Sequence, residues 1–225
     1  LEVAGKPLLI RNLELSRDEL GVEDFIVVIG HLGDQIRKAL GDGSSWGVRV
    51  RYVENEYVDG GLGTILSVIQ PLLDERFYLI LGDELYLNSN HSELREVADD
   101  CIAVCALWKC RDERLIRKNY IAEQQDGRIV GLTEKPSRVD AQEMGCGTFV
   151  FSPEIFDFVI PPREAKEGRI ELIDIIDRAA RAGRTVLPFF LTGEYINVNT
   201  VEDLNLACFA VRNAQAERNR VSLII

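Results

Sequence analysis

The chain has 225 residues, 46% apolar and 28% charged, which suits a soluble globular protein with room for one domain and a sizeable core. Its net charge of -11 disfavours nucleic acid and anionic membranes as partners, and leaves a phosphate-bearing ligand open wherever a metal or a local basic group offsets the charge. No apolar run reaches the roughly 18 residues of a membrane helix, no signal peptide is read, and five irregularly spaced cysteines with two distant histidines predict free thiols of a cytoplasmic protein rather than a zinc site.

The opening "LEVAGKPLL" reads as the end of a loop feeding a helix, so a preceding N-terminal segment is expected. "DFIVVIG" (24–30) is an uninterrupted apolar run, as in a strand buried on both faces. "GDQIRKALG" predicts a short helix with Gly41 past its end. "VRVRYVEN" (48–55) alternates as a strand, and "LGTILSVIQPLL" (62–73) has helical spacing. "RFYLILG" (76–82) is a second buried strand, "HSELREVADD" a helix and "CIAVCALW" (101–108) a third strand.

Strands alternating with helices imply βαβ crossovers and a mostly parallel sheet. The rhythm then changes. "KNYIAEQQDGRIVGLTEKP" predicts two strands around an Asp126-Gly127 turn. "GCGTFVFSPEIFDFV" predicts a strand and then a helix with Ser152 as N-cap and Pro153 at its first position. "ELIDIIDRAARAG" is an amphipathic helix and "RTVLPFFL" a strand. "TVEDLNLACFAVRNAQAERN" is a long helix opened by Thr200, with Asp203 completing a variant capping box. No repeat, linker or low-complexity tract breaks the chain, which predicts one α/β domain over residues 1–225 with an inserted β-hairpin region.

Four short motifs carry candidate chemistry. "LILGDE" puts Asp83 where a buried strand ends, the edge at which open parallel sheets bind ligands. A carboxylate there suits a hard divalent ion, and a turn-capping Asp is the alternative. "DGGLGTILSV" (59–68) is a Gly-rich loop opening a helix, with spacing that matches neither a P-loop nor a dinucleotide fingerprint. "LTEKPS" (132–137) sets Glu134 and Lys135 before a strand-ending Pro, where an exposed ion pair is the alternative. "YINVNTVEDL" ends a strand on Asn197; capping explains Thr200 and Asp203 and leaves Asn197 unexplained.

Taken in chain order, as Gly-rich loop, "GD", "EKP" and "NVNTVEDL", the motifs resemble the sugar-phosphate nucleotidylyltransferases of the NTP-transferase superfamily, along almost the whole chain. The resemblance implies a Rossmann-like GT-A-type fold and a reaction in which an NTP and a sugar 1-phosphate give an NDP-sugar and pyrophosphate. It implies Mg²⁺ held by Asp83 and Asn197, with Asn where many relatives have Asp. Gly63 and Thr64 would face the base with Glu56 nearby, Glu134 and Lys135 the sugar phosphate, and Gly147 the sugar pocket; Asp83 and Lys135 would be the catalytic pair. Glu84 is expected to be solvated, and homo-oligomers are compatible with the resemblance.

The chain departs from the family pattern in several places. The phosphate loop, G-x-G-T-R with a following Pro-Lys, is absent from these residues, and Lys6 belongs to a second Gly-Lys-Pro. Leu81 stands where relatives often have Asn or Tyr, Asn119-Tyr120 where they often have Tyr-Gly, and Gly145 where they often have Asn. Two alternatives therefore stay open: a cytidylyltransferase for a phosphorylated polyol or choline, and a non-catalytic NDP-sugar-binding domain that regulates a partner. A GT-A glycosyltransferase would want a D-x-D motif, which "DEL" (83–85) does not supply.

Overall fold

The computed structural model describes residues 1–55, 61–97, 99–159 and 169–221. In chain order, β1 (Glu2–Val3) and β2 (Lys6–Pro7) form a short antiparallel ribbon, and α1 (Leu8–Leu15) runs into a π-helical turn, Ser16–Leu20. Then come β3 (Asp24–Ile29), α2 (Gly33–Leu40), β4 (Arg49–Glu54), α3 (Thr64–Ile69), β5 (Phe77–Ile80) and β6 (Glu84–Leu87). They are followed by β7 (Ala103–Lys109), α4 (Glu113–Ile116), β8 (Tyr120–Gln125), β9 (Arg128–Glu134) and β10 (Glu143–Phe151). The chain closes with α5 (Leu172–Arg181), β11 (Val186–Leu191), β12 (Glu194–Asn197) and α6 (Val201–Val221).

These elements fall into two compact units. The first comprises Leu1–Val22, Ile80–Arg95 and Leu191–Ile225, and the second Glu23–Leu79 and Glu96–Phe190. Neither is continuous in sequence, which is why no linker marks a boundary.

The first unit is organised by an antiparallel pair, β6 with β12, in the register Glu194↔Leu87, Tyr195↔Tyr86, Ile196↔Leu85 and Asn197↔Glu84. Side chains alternate across a strand and directly opposed residues share a face. One face of the pair is therefore apolar: Leu85, Leu87, Ile196 and, beyond the strand, Val198 pack with Val3 and Leu8 and with Leu204, Ala207, Cys208 and Val211 of α6. The spacing of those four α6 residues makes one helical stripe. Burying each large aliphatic side chain contributes about 1.5–3 kcal/mol. The other face carries Glu84, Tyr86, Tyr195 and Asn197.

In the second unit a four-stranded sheet has the order β11-β7-β10-β5, and β3 pairs with β4 in parallel from Asp24↔Arg49 to Ile29↔Glu54. β7 and β10 run antiparallel, with a bulge between Gly145 and Phe149. Stacked rings of Phe149 and Phe151, 5.6 Å apart, and of Phe77 and Phe156, 5.7 Å apart, fill its core. α5 buries Leu172, Ile173, Ile175, Ile176, Ala179 and Ala180 and packs on β9, where Asp177 accepts the Leu132 N–H at 2.8 Å.

The α/β class and the inserted hairpin are as expected. β8 and β9 pair across Asp126 and Gly127, whose φ angles of 51° and 75° suit a tight hairpin turn. The expected mostly parallel character needs correction: β3–β4 is parallel, whereas β6–β12 and β7–β10 are antiparallel, so outside the expected β8–β9 hairpin the sheets are mixed. The helix expected at "HSELREVADD" is a 3-10 turn, His91–Glu96, with His91 and Leu94 buried.

Candidate active site

In the first unit, Asp83 stands in the turn between β5 and β6, and Asn197 is the last residue of β12. The two were expected to meet because parallel strands end on one edge. They are neighbours for a different reason: β6 is antiparallel to β12, so β6 begins where β12 ends. Val198 N–H donates to Asp83 C=O at 2.8 Å, which ties the two strand ends together. On the other side of the turn, buried Asn12 donates its Nδ2 to the Leu81 carbonyl at 3.2 Å, anchoring the approach to Asp83.

Asp83 is open to solvent, and no cation among the described residues forms an ion pair with its carboxylate. Desolvation by the protein around it raises its pKa above the ordinary value. Asn197 Oδ1 accepts from Asn199 Nδ2 at 2.5 Å and keeps a second lone pair. A carboxylate oxygen and an amide oxygen on adjacent strand ends are hard donors. They fit Mg²⁺, which uses one or two protein oxygens and completes its shell with water and phosphate oxygens.

Glu84 corrects an expectation. Its side chain is not solvated but 1% exposed, and it accepts from Tyr195 Oη at 2.6 Å and from Tyr86 Oη. The period-2 pattern in "ELYL" and "YIN" was the available signal that these groups share a face. Lys6 is half-buried and paired with Glu14 at 2.8 Å.

The second unit holds the remaining candidates. Gly63 and Thr64 are buried at the start of α3. A Cβ on Gly63 would stand 2.4 Å from the Ile170 side chain, and the Gly63 N–H donates to Ile170 C=O at 2.7 Å. Gly61, at φ +84°, would clash with the same carbonyl. These glycines therefore permit a close approach of two backbones. The Thr64 hydroxyl donates to Gly61 C=O at 2.8 Å and accepts from Asn55 Nδ2 at 3.0 Å. Beside this loop a cavity of about 270 Å³ opens at the carboxyl ends of β3 and β4, lined by Ile29, Gly30, Asn55, Gly61, Leu62 and Arg169. Asn55, Ile170 and Arg169 carried no motif and are legible only in three dimensions. Glu56 lies outside the described residues.

Lys135 has φ +45°, held by its N–H donating to Asn119 C=O at 2.8 Å. Left-handed backbone at a residue with a Cβ, directly before Pro136, is strained by about 1–3 kcal/mol. Its ammonium lies 3.8 Å from Glu134, with Lys135 64% exposed and Glu134 25%. Desolvation raises the Glu134 pKa; Lys135 opposes this, and Glu171 and Asp174 add to it. Gly147 is buried within the bulged stretch of β10.

Residues 1–209 match the family model described as Nucleotidyl transferase. The chain belongs to the nucleotidyl transferase family. It is 29% identical over 204 residues to a glucose-1-phosphate thymidylyltransferase of Streptomyces griseus, covering 90% of this chain and 56% of that protein. It is 27% identical over 205 residues to a UTP–glucose-1-phosphate uridylyltransferase of Haloferax volcanii, covering 90% and 83%. A solved UDP-glucose pyrophosphorylase in complex with UDP-glucose shares the fold, with a TM-score of 0.75, 22% identity and coverage of 95% and 89%. The chain thus spans little more than half of the Streptomyces protein's length. Its α/β fold is of the Rossmann-like GT-A type, and among the described residues no helix is long and apolar enough to cross a membrane.

Proposed function

We propose that this nucleotidyl transferase joins an NTP to a sugar 1-phosphate, giving an NDP-sugar and pyrophosphate with Mg²⁺, in the cytoplasm. The observation that carries the reading is the meeting of Asp83 and Asn197 at one end of the β6–β12 pair, in a chain that matches the family along residues 1–209. Five free cysteines suit a reducing compartment.

In the reaction an oxygen of the sugar phosphate attacks the α-phosphorus of the NTP in line, and the bond to pyrophosphate breaks. Positioning and charge neutralisation supply most of the acceleration. Asp83 and Asn197 offer the oxygen ligands. Mg²⁺, when bound, neutralises charge on the phosphate oxygens. Lys135 presents a point charge to the acceptor phosphate, with its backbone aimed by the strained turn before Pro136. Glu134 orients it and accepts from sugar hydroxyls. Gly63 and Thr64 border the base with Glu56 nearby, and Gly147 leaves room beside the sugar.

A second reading is a compact acceptor such as a phosphorylated polyol or choline, with CTP; it rests on the unusual pair Tyr120 and Gly145, which pack against each other. The test is pyrophosphate release by the full-length protein with Mg²⁺, a panel of NTPs, and both sugar 1-phosphates and polyol or choline phosphates. Release with a sugar 1-phosphate upholds the first reading. Release with CTP and a polyol or choline phosphate alone selects the second. Tight NDP-sugar binding with no release in any pairing leaves a regulatory domain.

A further inference from the structure

The buried face of the β6–β12 pair holds a carboxylate that the proposed reaction does not use. Glu84 is 1% exposed, and Tyr86 and Tyr195, the donors to it, are each 6% exposed. Tyr195 reaches across from β12, and its ring centroid lies 5.6 Å from that of Tyr86, its partner in the register. His91 closes the group: its ring meets Tyr86 edge-on at 4.6 Å, and its Nδ1 lies 2.7 Å from Ser89 Oγ.

A buried carboxylate is costly, and an apolar side chain of similar volume would often be the more stable choice at such a position. What a hydrogen-bonded carboxylate adds is geometric demand. In the observed register Tyr195 stands opposite Tyr86 and its Oη meets Glu84 on the diagonal. A slip of one residue would turn Tyr195 to the opposite face and take this cross-strand donor from the buried carboxyl group. The apolar face resists the same slip, because Leu85, Leu87 and Ile196 would leave the core; the hydroxyl–carboxyl bonds add directional precision within that register.

The same register brings the backbones of Asp83 and Asn197 side by side. Glu84 is paired with Asn197, and the next rung is the Val198 N–H to Asp83 C=O bond. We propose that Glu84, clamped by Tyr195 and Tyr86, is a positioning residue that locks β6 against β12 and so holds Asp83 and Asn197 in place to share one divalent cation. This inference rests on the reading of that pair as metal ligands.

The test uses the full-length protein with Mn²⁺ as the probe, titrated in the presence of dTTP or UTP and followed by electron paramagnetic resonance. Tyr195→Phe removes one donor and keeps the ring. Glu84→Gln keeps the volume and removes the charge-assisted bonds. Each variant is expected to weaken Mn²⁺ binding by about tenfold or more, the scale on which outer-shell partners act. Nucleotide affinity without divalent cation should stay unchanged, and the Val198 amide should exchange faster with deuterium. Unchanged Mn²⁺ affinity with a lowered melting temperature would overturn the inference alone and leave the network as plain core structure. Absence of Mn²⁺ binding in the unsubstituted protein with either nucleotide would overturn the metal-ligand reading and the inference together. Should Glu84→Gln fail to fold, Tyr195→Phe carries the comparison.

Discussion

The ring of Tyr120 fills the space that any side chain at Gly145 would need. A Cβ on Gly145 would stand 2.0 Å from the Cε1 and Cζ atoms of Tyr120, far inside van der Waals contact. The Tyr120 hydroxyl pins the ring by donating to the carbonyls of Ala106, at 3.0 Å, and Cys146, at 3.3 Å. The contact joins two positions that are distant in sequence in one packing event. Gly145→Asn alone is expected to destabilise by about 1–3 kcal/mol through overpacking. Combined with Tyr120→Gly, it should show a favourable coupling of about 0.5–3 kcal/mol. Urea denaturation of the two single variants and the double variant measures it, and strict additivity would contradict the contact.

The Asp83–Asn197 pair makes an asymmetric forecast. Asp83→Asn should lower turnover by roughly 10² or more if it removes charge stabilisation of the usual size for such groups. Asn197→Asp keeps an oxygen ligand and should be tolerated, with Mg²⁺ binding less dependent on nucleotide. Steady-state rates across a Mg²⁺ titration test this. Equal damage by both substitutions would argue against a shared ion.

Lys135→Ala should raise the acceptor KM by about tenfold, the scale of one hydrogen bond to a charged group, while changing the NTP KM little. Kinetics with each substrate varied in turn provide the measurement. An equal change in both constants, or none, would mark the Glu134–Lys135 contact as a surface ion pair.

His91 predicts a pH dependence in the first unit. Burial lowers its pKa from 6.5 to about 4. Between those values the unfolded chain binds a proton that the folded chain does not, so stability falls as pH drops through this window. The contribution is complete above the unfolded pKa. His91→Gln should flatten the slope of melting temperature against pH between about pH 6.5 and pH 4. A variant that keeps the full slope would show that other groups set it.

Much of this protein was legible in its residues because local physics decided it. The Thr200–Asp203 capping box is made as its spacing implies: Asp203 N–H donates to Thr200 Oγ1 at 3.2 Å, and Thr200 N–H donates to Asp203 Oδ2 at 2.9 Å. The Asp126-Gly127 hairpin and the stripe of α5 are equally short-range, since periodicity and turn chemistry act within a few residues. The apolar run 24–30 forms its strand, but only Ile29 of β3 is buried, so the expected burial on both faces is not met. The motif order also pointed to the family. Strand direction was not legible: an apolar run buries as well in an antiparallel pair as in a parallel one, so the route by which Asp83 meets Asn197 had to come from the tertiary structure. The fate of Glu84 was decided there too, because its donor Tyr195 lies 111 residues away. So was the reason for Gly145, because the Tyr120 ring that excludes a side chain arrives from another strand. Contacts between distant segments depend on the closure of long loops, and no window of neighbouring residues encodes which partner arrives.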